Sequence, residues 1–142
     1  MKFINDQYRI LNCISEDKYG LTYIVEDVQK GNSLKCLKII ELKDTTKEFI
    51  EYMKYNFYDY AVYSHRNLVD FYFFNRVRII DSKLVATNQY YYTYEYYNGI
   101  NILEYSKDRT FEELLEIAMQ LCTGIKFLHL RGFLTCCADI NE

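Results

Sequence analysis

Few residues of this sequence have the type and spacing to do chemistry. In "ISEDKYGLTY", residues 14–23, the carboxylate Asp17 comes three positions before a single glycine, Gly20, in a polar turn between two strand-like stretches. Glycines let a backbone fold closely over phosphates and turn its amides toward them, but such a loop normally uses several. Taken alone, the stretch reads better as a hairpin. Five cysteines (Cys13, Cys36, Cys122, Cys136, Cys137) are scattered without a Cys-x-x-Cys pair, and only two histidines accompany them. Zinc needs ligand pairs a few residues apart, so no metal site is expected. Adjacent Cys136 and Cys137 could be redox-active; reduced, buried thiols are the commoner use of such residues.

The elements that must position these groups follow from pattern. The chain has 142 residues, half of them hydrophobic and 26% charged, which fits one globular domain with a real core. Sixteen tyrosines and nine phenylalanines stand beside no tryptophan and no proline. A formal charge of -3 gives no basic footprint for nucleic acid. Apolar runs stay below membrane-spanning length and the N-terminus lacks a signal peptide's apolar core, so a cytoplasmic, soluble protein is expected. Strands are predicted over 8–15, 19–27 and "SLKCLKIIEL" (33–42). A helix over 45–62 follows, opened by a Thr45–Glu48 capping box, with Phe49, Met53, Phe57, Tyr60 and Ala61 near helical spacing. Two more strands are read in "LVDFYFFNRVRII" and "LVATNQYYYTYEYY", then a short helix over 100–106. The clearest helix is 111–129, with an apolar face, a Thr110–Glu113 capping box and Gly132 just past its end. Three strands, a helix, two strands and then helices make an α+β pattern built on an antiparallel sheet.

That order, with these residues in it, resembles the N-terminal part of a protein kinase domain. "YRILNCISEDKYGLTYIVED" is similar to the first two strands and glycine-rich loop, and "KCLKII" to the third strand with its lysine, here Lys38. "HRNLVDF" resembles the element that follows the helix, with Arg66 in place of proline. "YYYTYEYYNG" is similar to the fifth strand and hinge, and "GIKFLHLRGF" to the approach to the catalytic loop. The resemblance implies a small lobe with hinge over 1–97, with a five-stranded antiparallel sheet and one major helix. It places the start of a larger lobe over 98–142, and the rest of that lobe, with its metal-binding Asp-Phe-Gly element, beyond Glu142. Helix 111–129 would then leave its apolar face poorly covered in this stretch alone.

For ATP with Mg2+, the resemblance implies contacts from Ile14, Ser15, Asp17, Tyr19, Gly20, Thr22, Cys36, Lys38, Tyr94, Glu95 and Tyr97. Ser15 and Asp17 stand where the family has its first two glycines, and Gly20 keeps the third. A carboxylate at 17 is repulsive to a triphosphate unless a cation intervenes. Lys38 matches the family's amine for the α- and β-phosphates. The alternative is a solvent-facing lysine. Its helix partner would be Asn56, or Asp59 after a register shift; an asparagine supplies no opposite charge. Tyr94 would be the gatekeeper, with Glu95, Tyr96 and Tyr97 as the hinge. In the catalytic loop an ungapped match gives Thr135, Cys136 and Cys137 and no base, whereas two inserted residues bring in Asp139.

These departures lead to the expectation of a catalytically impaired, pseudokinase-type signalling module with weak or no ATP binding, acting through other protein domains in cis or in trans. An active Ser/Thr-type kinase with a protein substrate, and a ligand-free interaction domain using helix 45–62, are the alternatives. Neither nucleic acid nor membrane is an expected partner.

Overall fold

The computed structural model describes residues 1–17, 20–41 and 46–133. They fall into two units: Met1–Tyr63 with Asp70–Tyr96, and Ser64–Val69 with the residues from Tyr97 onward. In the first unit, strands β1 (Phe3–Ile4), β2 (Tyr8–Asp17), β3 (Gly20–Asp27) and β4 (Ser33–Glu41) precede helix α1 (Lys47–Ala61). Strands β5 (Phe71–Arg76), β6 (Ile79–Ile80), β7 (Lys83–Leu84) and β8 (Gln89–Glu95) follow it. All pair antiparallel in one sheet, in the order β5-β8-β4-β3-β2-β1-β6-β7.

The sheet therefore has eight strands rather than the expected five. The five long ones are those read from pattern; the other three are two-residue pieces. They exist because side chains interrupt the expected ladders. The Asn5 carboxamide oxygen accepts from the Arg78 and Ile79 amides at 2.8 and 3.0 Å, which ends the pairing of β5 and starts β6. Asp81 accepts from the Lys2 and Phe3 amides at 2.6 and 2.8 Å and ties the N-terminus to the β6–β7 hairpin. Two tight turns need positive φ at two successive residues, and polar ones fill them: Asn5 and Asp6 (52° and 50°), Asp81 and Ser82 (48° and 62°). This conformation suits short side chains that can bond locally.

Alternation along the strands gives the sheet two different faces. On β4, Leu37 and Ile39 join Ile4, Tyr8, Val25, Val77 and Tyr91 in the core. Cys36 and Lys38 belong to the other face, opposite Ile24 and Thr22 on β3 and Tyr94 and Tyr92 on β8. Helix α1 packs with its aromatic side chains. Phe57 lies 5.6 Å from Phe71, 5.8 Å from Phe74 and 6.1 Å from Tyr92, and Tyr60 lies 5.1 Å from Phe71. Such ring pairs contribute about 0.5–1.5 kcal/mol each beyond area burial. The helix is capped by Thr46, whose hydroxyl accepts from the Phe49 amide at 3.3 Å, in place of the expected Thr45–Glu48 box; Thr45 lies outside the described residues. Phe49 is exposed, so the buried face is narrower than its spacing suggested.

In the second unit, α2 (Ile102–Tyr105) is capped by Asn101 and runs into a 3-10 turn, Ser106–Asp108. Helix α3 spans Phe111–His129, as expected, and both halves of its capping box form: the Glu113 amide to Thr110 Oγ1 at 3.3 Å and the Thr110 amide to Glu113 Oε2 at 2.9 Å. Gly132, at φ 84°, ends it. The turn that carries His65 packs on α3. The His65 and Phe127 rings are 4.6 Å apart, and the Asn67 side-chain Nδ2 donates to Gln120 Oε1 at 3.2 Å. A Cβ at Gly124 would come within 3.2 Å of the Asn67 carbonyl, so a small residue permits the contact. Leu128 is buried, but Phe111, Leu115, Met119 and Leu121 are exposed. Among the described residues no helix is long and apolar enough to cross a membrane.

Candidate functional site

The strand register brings together three of the residues singled out for phosphate chemistry. Asp17 pairs with Gly20 across the β2–β3 hairpin, and Thr22 on β3 pairs with both Ser15 and Lys38. Asp17 and Lys38 thus belong to one face of the sheet, and they meet. Lys38 Nζ lies 2.5 Å from Asp17 Oδ2, with the two side chains 13% and 30% exposed. The other carboxylate oxygen of Asp17 accepts from the Gly20 amide at 3.0 Å. The aspartate therefore holds the ammonium of Lys38 and the backbone amide of Gly20, the two groups that the resemblance implied for a phosphate.

Gly20 has a structural requirement of its own. Its φ is 150°, and a Cβ added there would fall 1.8 Å from the Ile39 carbonyl oxygen. Close approach of β3 to β4 demands glycine at this position, whether or not a phosphate ever binds.

The remaining positions can be followed along the same face. Ile14 is the extra residue of a bulge, because the register shifts between Cys13 and Ser15; both Ile14 and Ser15 are exposed. Thr22 is buried. Cys36 is buried as well, and burial pushes its thiol above the usual range despite a hydrogen bond from Tyr94. Cys13 and Cys122 are exposed. Tyr94 lies across from Cys36, stacked 5.6 Å from Phe71. In the segment taken as a hinge, the Glu95 amide already donates to the Asp70 carbonyl at 2.9 Å. Tyr96 belongs to the first unit; Tyr97 belongs to the second and is exposed.

Helix α1 presents Asn56 and Asp59 elsewhere. Both are exposed, and the Asn56 side-chain Nδ2 donates to the Tyr52 carbonyl of its own helix at 2.9 Å. The structure brings Asp17 to Lys38, not either helix residue. Tyr19, Thr135, Cys136, Cys137 and Asp139 lie outside the described residues.

Comparison with solved structures identifies the fold. The kinase domain of Mycobacterium tuberculosis PknI matches 94% of this chain with a TM-score of 0.70 at 16% identity. A doubly substituted form of that domain matches 94% with a TM-score of 0.70 at 17% identity, and a singly substituted form 90% with 0.67 at 18%. The fold is protein-kinase-like. The chain spans about half the length of those kinase domains, 50–53% in these three cases. No family model matches the sequence, and no curated protein gives a significant match.

In the kinase-like fold, the residues about Lys38 do not fit a triphosphate as they stand. A phosphate reaching Lys38 would have to displace Asp17, and with both present two anions would share one ammonium. Sequence reasoning singled out Asp17 for its repulsion of phosphate and missed that it is Lys38's partner. That pairing depends on the register of two successive hairpins, Asp17 opposite Gly20 and Thr22 opposite Lys38, which no local pattern reports.

Proposed function

We propose that this chain is part of a protein-kinase-like regulatory module whose phosphate-binding lysine is occupied from within. Asp17 supplies the negative charge that a nucleotide would otherwise bring, so the small lobe holds its arrangement without ligand. The observation that carries this reading is the Asp17–Lys38 ion pair at 2.5 Å, together with the Asp17–Gly20 amide bond. The Glu95 amide, already bonded to Asp70, supports it from the adenine side. Such a module signals through contacts with other protein domains rather than by phosphoryl transfer.

The test is an assay of phosphate incorporation from labelled ATP into generic protein substrates, using the longest natural chain that contains this region. The expected result is no incorporation above that of Lys38→Ala. Incorporation that Lys38→Ala abolishes would establish an active Ser/Thr-type kinase instead.

A further inference from the structure

A second feature of the first unit owes nothing to nucleotide. Between the first turns of α1 and the end of β5 lies a groove of about 550 Å³ walled by Lys47, Lys54, Arg76 and Arg78. Its floor includes the stacked rings of Phe74 and Tyr90, 5.8 Å apart. One carboxylate, Glu51, lines it. Among the described residues none of the four cations has a carboxylate within ion-pair distance, whereas Arg9, Lys35, Lys38 and Arg109 each do. Four cations against one carboxylate give the groove a formal +3 on a chain whose total is -3, so the rest of the molecule carries -6.

Arg76 is also held in place. Its Nε and Nη2 donate to the Thr87 carbonyl at 2.8 and 2.5 Å, which fixes the guanidinium plane and leaves three of its five N–H groups for a ligand. A fixed guanidinium loses little freedom on binding a carboxylate and can meet it with two parallel bonds.

We infer that this groove binds a short acidic peptide segment of a protein partner. The cations meet its carboxylates, and an apolar side chain between them rests on Phe74 and Tyr90. A long polyanion such as nucleic acid fits the charge distribution less well, because beyond the groove it would run over a surface of its own sign.

Fluorescence anisotropy on the whole chain provides the test. The probe is a labelled peptide of aspartates and glutamates flanking one leucine. Controls are the same peptide with lysines for the acids, inorganic phosphate as competitor, and vesicles of phosphatidylserine in phosphatidylcholine. The acidic peptide should bind, and more weakly on going from roughly 0.05 to 0.5 M salt as charges are screened. Lys54→Glu with Arg78→Glu should weaken it at least about tenfold. Both residues are exposed, and among the described residues neither side chain forms an ion pair; circular dichroism verifies that the variant is folded. Lys47→Ala should give a smaller loss in the same direction. The inference is overturned if the lysine peptide binds as well, if charge reversal changes nothing, or if phosphate or the vesicles bind and the acidic peptide does not.

Discussion

Strand β4 carries two lysines three residues apart, each 2.5 Å from an aspartate of the β2–β3 hairpin, and the two pairs differ in what surrounds them. Lys35 and Asp27 are 7% and 0% exposed. Asp27 also accepts from the Gln7 side-chain amide at 3.1 Å and the Gln29 backbone amide at 3.2 Å, and Lys35 Nζ sits 5.1 Å from the centre of the Tyr72 ring. Burial alone would raise the Asp27 carboxyl, but these donors, Lys35 foremost, hold it below the usual carboxylate range. Lys38 and Asp17 are less enclosed, at 13% and 30%. One pair belongs to the frame; the other is the one we propose a competing anion would open. Similar chemistry has different uses because burial sets the cost of breaking it.

The largest effect that would separate the two pairs is on stability. Asp27→Ala leaves a buried, uncompensated ammonium and should cost about 3–5 kcal/mol. Asp17→Ala, at a partly screened pair, should cost about 1 kcal/mol or less. Urea unfolding of both variants measures the contrast, and equal losses would break the comparison. Next in size is Gly20→Ala. The 1.8 Å approach to the Ile39 carbonyl forces β3 and β4 apart, for about 1–3 kcal/mol. This loss should be the same with or without ATP, since it is a backbone effect.

Acid gives a smaller and graded effect. A carboxyl held below its ordinary value stabilises the fold fully above that value and loses this contribution as pH falls through its folded-state value. For Asp27 the loss therefore begins near 3.8 and continues below it. Urea midpoints followed from pH about 5 to about 2 should fall more steeply for the native chain than for Asp27→Asn. Parallel curves would mean that Asp27 is not the group responsible.

Much of the frame was legible in the sequence because periodicity reports local geometry. Helix α3 was read to the residue because its apolar spacing, its Thr110–Glu113 cap and Gly132 all agree. Strand β1 was missed although the Asn5–Asp6 pair signals a two-residue turn, because two residues are too few to show alternation. The expected strand over 68–80 broke where Asn5, over seventy positions away, takes the Arg78 and Ile79 amides, and no local pattern carries that information. At the site, the identities of Asp17 and Lys38 were visible, and so was the weakness of Asn56 as a partner. Their pairing was not, since it depends on register across two hairpins. The basic groove escaped notice for a similar reason: its cations come from α1, from the end of β5 and from Arg78 two residues beyond it, and only the fold collects them.

The central claim is that Asp17 occupies Lys38 in place of a phosphate, and calorimetric titration of ATP tests it most directly. The native chain, Asp17→Asn, Lys38→Ala and the double variant would be compared at constant ionic strength. Removing the competing charge should raise the affinity of Asp17→Asn about tenfold, or about 1.4 kcal/mol, and adding Lys38→Ala should abolish that gain. Binding to the native chain that depends on Lys38 and is unchanged by Asp17→Asn would contradict the account.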